Sequence, residues 1–164
     1  MRFSLIDRVE EVVPGERIAA VKTLARTEEY LADHFPGFPV MPGVLMVEAM
    51  TQAAAWLVRL TDDFSHSVTE LSETKAVKFN SFLAPGETLA ITATVVKRDG
   101  PLTTVKAAGV KRGGKSDGEA CVSGRLVLKS TNLADDPAAP NSAARRDEAA
   151  RAALRTTWGE LYRG

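Results

Sequence analysis

The feature that most constrains the fold is an apolar segment that runs from Val44 to about Leu60 with almost no polar face. Its residues are mainly Leu, Met, Val, Ala, Gln and Trp, most of which favour a helix. A helix that is apolar nearly all round must be buried, so we expect a sheet to wrap around it. Ala53, Ala54 and Ala55 are small enough to let that sheet approach closely.

Strands are predicted on both sides of this helix. Two of them flank a turn at residues 14–16, and one or two helical turns capped by Thr27 follow over 27–33. Four more strands come after the helix, at 68–79, 88–98, 102–112 and 119–129. Short turns between consecutive strands favour an antiparallel meander. The predicted class is therefore α+β, with one long helix wrapped by a strongly bent antiparallel sheet.

A change in composition after the last strand predicts a domain over 1–129 and an extension over 130–164. The extension begins with a linker rich in Asp, Ala and Pro. A terminal helix capped by Asn141 or Ser142 then ends near Tyr162. Its large apolar residues recur at helical spacing, so the helix has an apolar face that needs a packing partner.

Charge and cysteine content exclude several classes of function. Lys+Arg and Asp+Glu balance at 21 each, so no net field attracts nucleic acid or anionic lipid. Cys121 is the single cysteine, which rules out an intrachain disulfide and fits a reducing cytoplasm. Charged residues interrupt the N-terminus, and the longest apolar stretch carries a carboxylate. We expect a soluble, cytoplasmic protein without a signal peptide or a membrane span.

Glu48 is the residue that most suggests chemistry, because it lies inside the apolar helix. An unpaired carboxylate in such surroundings costs roughly several kcal/mol of desolvation, which favours its protonated form. Two interpretations stay open: a structural ion pair with a core Arg or Lys, and a catalytic acid. Gln52 lies one turn further along the same face, where it can hydrogen-bond Glu48 or line the same cavity.

The loop at residues 34–43 contains three prolines and two glycines, so its path is stiff. His34 opens the loop; a lone His is more often satisfied by backbone groups, but this rigid framing favours a functional role. Gly43 closes the loop at the helix start, where free N–H groups can stabilise a developing negative charge. A simpler interpretation is that Gly43 only permits the bend. His66 lies in a polar loop, and we assign it no role.

The stretch from His34 to Gln52, HFPGFPVMPGVLMVEAMTQ, resembles the signature of the FabZ-type 3-hydroxyacyl-[acyl-carrier-protein] dehydratases. LIDRV upstream and VKF and PGE downstream agree, so the similarity covers roughly residues 3–129. It implies a hot-dog fold, a long helix wrapped by an antiparallel sheet. It also implies homodimers in which each site takes its His from one chain and its Glu from the other. Three such dimers often assemble into a hexamer in this family.

The resemblance also implies a mechanism. His34 would remove the α-proton of the thioester, Glu48 of the partner chain would protonate the departing 3-hydroxyl, and the Gly43 N–H would hold the thioester oxygen. The substrate would be carried on an acyl carrier protein in fatty-acid or related lipid synthesis, with no metal or organic cofactor. The remaining expected substrate-contacting residues are Gln52, Phe38 and Val44.

Departures from the family pattern at two places, and two alternative functions, accompany this hypothesis. Phe38 stands where the family usually has His, which implies a different tunnel lining, while Glu48 rather than Asp favours the FabZ type. Asn80 and Ser81 replace the basic residues that usually follow Lys-Phe, which bears on carrier-protein docking. A hot-dog thioesterase would need the carboxylate but has less use for His34. A non-catalytic acyl-binding subunit is the other alternative, favoured only by Phe38 and the tail.

Overall fold

The computed structural model describes residues 3–35, 37–113 and 116–162. Six strands and two long helices lie within them, together with short 3₁₀ turns at Glu29–Leu31 and Leu133–Asp135. The helices are α1 (Gly43–Thr61) and α2 (Ala143–Leu161). The strands are β1 (Arg8–Val13), β2 (Arg17–Thr23), β3 (Val68–Phe79), β4 (Thr88–Asp99), β5 (Leu102–Arg112) and β6 (Ala120–Thr131).

The strands form one antiparallel sheet in the order β1-β2-β4-β5-β6-β3, and α1 packs against all six. Ala53 and Ala54 are fully buried and Ala55 is 4% exposed, as the small side chains predicted. Leu89, Ile91 and similar apolar residues of the strands complete the core beneath the helix. The α+β prediction of a long helix wrapped by an antiparallel sheet is confirmed.

The prediction of a simple meander is wrong for β3, which pairs with β6 and not with β4. Only β4, β5 and β6 form a consecutive meander. Because α1 crosses beneath the sheet, it delivers β3 to the far edge, and residues 80–87 then carry the chain back to β4 beside β2. Apolar alternation marks a strand but not its neighbour, so the pattern alone favoured the shorter connection.

Smaller differences concern the ends of elements. The 3₁₀ turn begins after Glu28 and not after Thr27, and β6 continues two residues past its predicted end. Ser142 precedes α2 as predicted, but its side chain makes no capping hydrogen bond. Within the described ranges, neither long helix is both apolar and uncharged enough to cross a membrane.

Candidate active site

His34 lies in the stiff loop that leads into α1, with its imidazole partly exposed. Its ring packs on that of Phe35 at a centroid distance of 4.2 Å. Phe35 has φ of 55°, a left-handed conformation that costs a non-glycine residue energy and is held here by the Phe38 N–H, which donates to Phe35 O at 2.7 Å. The backbone beside His34 is therefore held in a specific, strained path.

Gly43 is the first residue of α1, where a helix has unpaired N–H groups and a positive dipole end. Among the described residues, no acceptor takes its N–H. A Cβ at this position would lie 2.8 Å from the Phe79 ring, so close packing against Phe79 requires glycine here. Both interpretations of Gly43 are therefore compatible: it permits close packing and presents a free amide.

His34 and Gly43 line the same cavity, which has a volume of about 360 Å³. The other lining residues are mostly apolar: Phe35, Met41, Met46, Phe79, Asn80, Ser81 and Phe82. A low-dielectric pocket strengthens hydrogen bonds from an amide to a developing oxyanion. The His34 imidazole and the first residue of α1 thus share one mostly apolar cavity.

Glu48 is held by Gln52, as the one-turn spacing predicted. The Gln52 Nε2 donates to Glu48 Oε1 at 2.9 Å and to Phe3 O at 3.1 Å, while its Oε1 accepts from the Leu5 N–H at 2.8 Å. The Leu5 N–H thereby determines which end of the Gln52 amide faces Glu48. No Lys or Arg of the described residues forms an ion pair with Glu48, so the structural ion pair is not found.

Within one chain the structure does not bring His34 and Glu48 together. Glu48 and Gln52 line a separate cavity of about 670 Å³, which does not include His34. Met46 and Glu48 are two residues apart, so they face roughly opposite sides of α1, each toward its own cavity. A single copy therefore presents two separate cavities, one with His34 and one with Glu48.

Phe38 and Val44 line neither cavity in the single chain. They are 59% and 71% exposed, and Phe38 meets the edge of the Phe82 ring at 5.8 Å. Phe35 and Phe79, which line the His34 cavity, are also more than half exposed. Exposed aromatic surface of this kind is typical of a protein or ligand contact.

Sequence reasoning missed the residues that close the Glu48 cavity. Arg59 lies on the same stripe of α1, and several α2 residues complete the wall. The helical spacing of Arg59 from Glu48 indicated that the two residues share one face of α1. The apolar face of α2 indicated that this helix packs on something, but periodicity does not identify the packing partner. Among the described residues, no group of three His, Cys, Asp or Glu side chains is arranged to hold a metal ion.

Comparison with known proteins identifies the class. A family model described as a FabA-like domain matches residues 1–125, and the chain belongs to this family. Similar solved structures include the dehydratase heterocomplex ApeI:P from Xenorhabdus doucetiae, with a TM-score of 0.62, 20% identity and coverage of 78% of this chain and 83% of that chain. Another is smu.793 from Streptococcus mutans UA159 bound to acetyl CoA. Its TM-score is 0.60 at 11% identity, with coverage of 80% of this chain and 92% of that chain. Both support the hot-dog fold.

Individual relatives narrow the class to the FabZ type. The chain is 40% identical over 101 residues to the 3-hydroxyacyl-[acyl-carrier-protein] dehydratase FabZ of Levilactobacillus brevis, covering 62% of this chain and 68% of that protein. The FabZ of Oenococcus oeni is 44% identical over 93 residues, with coverage of 57% and 67%. The FabZ of Syntrophomonas wolfei is 40% identical over 90 residues, 55% of this chain and 62% of that protein. The matched segments thus span about two thirds of these relatives.

Proposed function

We propose that this protein dehydrates 3-hydroxyacyl thioesters carried on acyl carrier protein, giving trans-2-enoyl thioesters for fatty-acid or related lipid synthesis in the cytoplasm. The observation that carries the proposal is the shared cavity of His34 and the Gly43 N–H. Membership of the FabA-like family and the FabZ relatives support the same reaction.

His34 acts as the base and Gly43 as the oxyanion donor. The imidazole takes the α-proton of the thioester, and the electron pair moves into the carbonyl as the oxygen accepts the Gly43 N–H. An α-proton is too weakly acidic for imidazole unless this enolate character is stabilised, so the reaction needs both groups in one pocket. The presence of His34 and Gly43 in the lining of one cavity supports these roles.

Glu48 supplies the acid from a second copy of the chain. The enolate expels the 3-hydroxyl, the C3–O bond breaks, and the carboxyl proton of Glu48 goes to the leaving oxygen, which departs as water. The carboxylate then recovers the proton that His34 holds, through water, and no cofactor is consumed. Gln52 occupies Oε1 of Glu48, so Oε2 is the atom that holds and delivers the proton.

A homodimer is the minimal unit of this mechanism, because His34 and Glu48 face different cavities in one chain. The strand β3 lies at an edge of the sheet, so its outer backbone N–H and C=O groups have no neighbouring strand in a single chain. Antiparallel pairing with β3 of a second copy would satisfy these groups. We also propose that three such dimers assemble into a hexamer. Phe38 and Val44, both exposed in the single chain, contact substrate or partner at this interface.

The test is hydration of trans-2-enoyl pantetheine thioesters, followed through loss of the enoyl absorbance band, with thiol release measured in parallel. We expect a reversible loss of the band without thiol release. We expect His34→Ala to lower kcat/KM by at least about a hundredfold, the lower end of what a general base contributes. His66→Ala, in a polar surface loop, is the matched control and stays within about twofold.

Two results would contradict the proposal. Release of free thiol from saturated acyl thioesters, with no change in the enoyl band, identifies a thioesterase. Full activity of His34→Ala removes the imidazole from the mechanism.

A further inference from the structure

The helix α2 lies beyond the family match, which ends at residue 125, yet it forms one wall of the cavity that contains Glu48. Its cavity-lining residues recur at helical spacing, so one continuous face of α2 is turned toward the cavity. These residues are Ala150, Ala153, Leu154, Thr157 and Leu161. Two of the five are alanines, which leave room where larger side chains would fill it.

A buried carboxylate anchors the first turns of α2. Asp147 is 2% exposed, and its Oδ1 accepts hydrogen bonds from Ser67 Oγ and from the Leu133 N–H at 2.8 Å. Its Oδ2 accepts from the Ala134 N–H at 3.0 Å. Charge-assisted hydrogen bonds of this kind are stronger than neutral ones, so the start of α2 has a defined position over the sheet.

Aromatic contacts anchor the end of α2. The Trp158 ring lies 5.8 Å from the Trp56 ring of α1 and stacks on Tyr162 at 5.0 Å. Arg155 lies over the Phe64 ring at 5.1 Å. The wall is therefore a packed element, held at both ends, and not a loose tail.

The α1 side of the cavity runs from a carboxyl to a cation. Glu48 and Arg59 are 11 residues apart on one stripe, about 16 Å along the helix at the usual rise. The Arg59 guanidinium lies 5.1 Å from the Trp56 ring centroid, and its buried Nε has no hydrogen-bond partner among the described residues. Burial lowers the pKa of Arg59 to about 10.

These features define a cavity for an apolar chain of limited length. An alkyl chain that starts at Glu48 can bury itself against Ala55, Ala153 and Leu154. A longer chain would meet Arg59 and remove more water from a cation that is already poorly solvated. The apolar part of the cavity therefore ends at Trp56 and Arg59.

We propose that α2 is the wall of the acyl-binding pocket, in which Arg59 marks the end of the apolar space and the small residues Ala150 and Ala153 leave the width that a long acyl group needs to reach that end. This inference rests on the proposed function, since it places the acyl chain of the 3-hydroxyacyl thioester beside the acid Glu48. The substrate class is a straight-chain acyl thioester of medium length.

The test compares four-carbon and twelve-carbon trans-2-enoyl pantetheine thioesters on the wild type, Ala153→Leu and Ala152→Leu. Ala153 lines the cavity and Ala152 does not, although both are exposed on α2, so the two variants add the same volume at neighbouring positions. We expect Ala153→Leu to lower kcat/KM for the long substrate by about tenfold or more, since an apolar pocket discriminates single methylenes by at least that factor. The short substrate and the Ala152→Leu control stay within about twofold of wild type.

The outcomes separate the two proposals. An active wild type whose long-to-short preference is unchanged in Ala153→Leu overturns the role of α2 alone. Two further results also overturn the role of α2: an equal loss of kcat/KM with the long and the short substrate in Ala153→Leu, and equal effects of Ala153→Leu and Ala152→Leu. A folded wild type that hydrates neither thioester overturns the proposed function, and this inference falls with it.

Discussion

Glu48 and Gln52 form a pair whose orientation is determined from outside their helix. The Leu5 N–H donates to Gln52 Oε1, which leaves the Gln52 Nε2 to face the carboxyl. A carboxyl that accepts one hydrogen bond from a neutral amide keeps its other oxygen available for a proton. Among the described residues no Lys or Arg forms an ion pair with Glu48, so its second oxygen is not taken by a cation.

Gly43 offers a test at the scale of one methyl group. In Gly43→Ala the new Cβ would lie 2.8 Å from the Phe79 ring, so either the ring or the first turn of α1 must move. We expect kcat/KM for enoyl hydration to fall by about tenfold or more as the oxyanion donor is displaced. Gly37→Ala is the matched control in the same loop, because a Cβ there meets nothing within 4 Å.

Equal activity of Gly43→Ala and Gly37→Ala would remove the Gly43 amide from the mechanism. Circular dichroism spectra and melting temperatures of the two variants establish that any loss comes from the site and not from unfolding.

At the scale of elements, α1 was predicted within one residue at each end, and β3 and β5 at both ends. Apolar patterning, Pro42 and the turn residues carry that information locally. The placement of β3 beside β6 was not predictable, because it depends on where a buried helix delivers the chain. The apolar face of α2 was predicted, but its packing on Trp56 is a long-range contact that periodicity does not encode.

The Asp147 anchor makes the stability of α2 depend on pH. Burial tends to raise the pKa of Asp147, but hydrogen bonds from Ser67 and from the Leu133 and Ala134 N–H groups outweigh it, so the pKa is lowered. A carboxyl whose pKa is lower in the folded state stabilises the fold above its unfolded pKa, about 3.9. That stabilisation is lost as the pH falls through the lower folded value.

We therefore expect Asp147→Asn to reduce the melting temperature by several degrees near neutral pH. The difference from wild type should narrow as the pH drops below about 4, and circular dichroism at a series of pH values measures it. Asp136 is an exposed carboxylate in the connection between β6 and α2, so Asp136→Asn is the control and should melt like wild type. If the difference in melting temperature between wild type and Asp147→Asn stays constant down to acid pH, the charge of Asp147 does not stabilise α2.

In the whole molecule, one copy of the chain places the residues that we propose for catalysis in two separate cavities. His34 and the Gly43 N–H line one cavity, and Glu48 with Gln52 lines another. The motif from His34 to Gln52 singled out these residues from the sequence, because a stiff Pro/Gly loop followed by a carboxylate within an apolar helix is unusual. Their division between two cavities depends on the side of α1 on which each cavity lies, and the motif does not encode that.

Complementation between two inactive variants tests directly whether one site takes its groups from two chains. Each site of a dimer would take His34 from one chain and Glu48 from the other, so a mixed dimer of His34→Ala and Glu48→Gln regains one intact site. After unfolding and refolding an equal mixture, half of the dimers are mixed, and we expect about a quarter of wild-type enoyl hydration. Native mass spectrometry shows whether the mixed dimer has formed. If it has formed and the mixture shows only the activity of the separate variants, His34 and Glu48 do not act together across two chains.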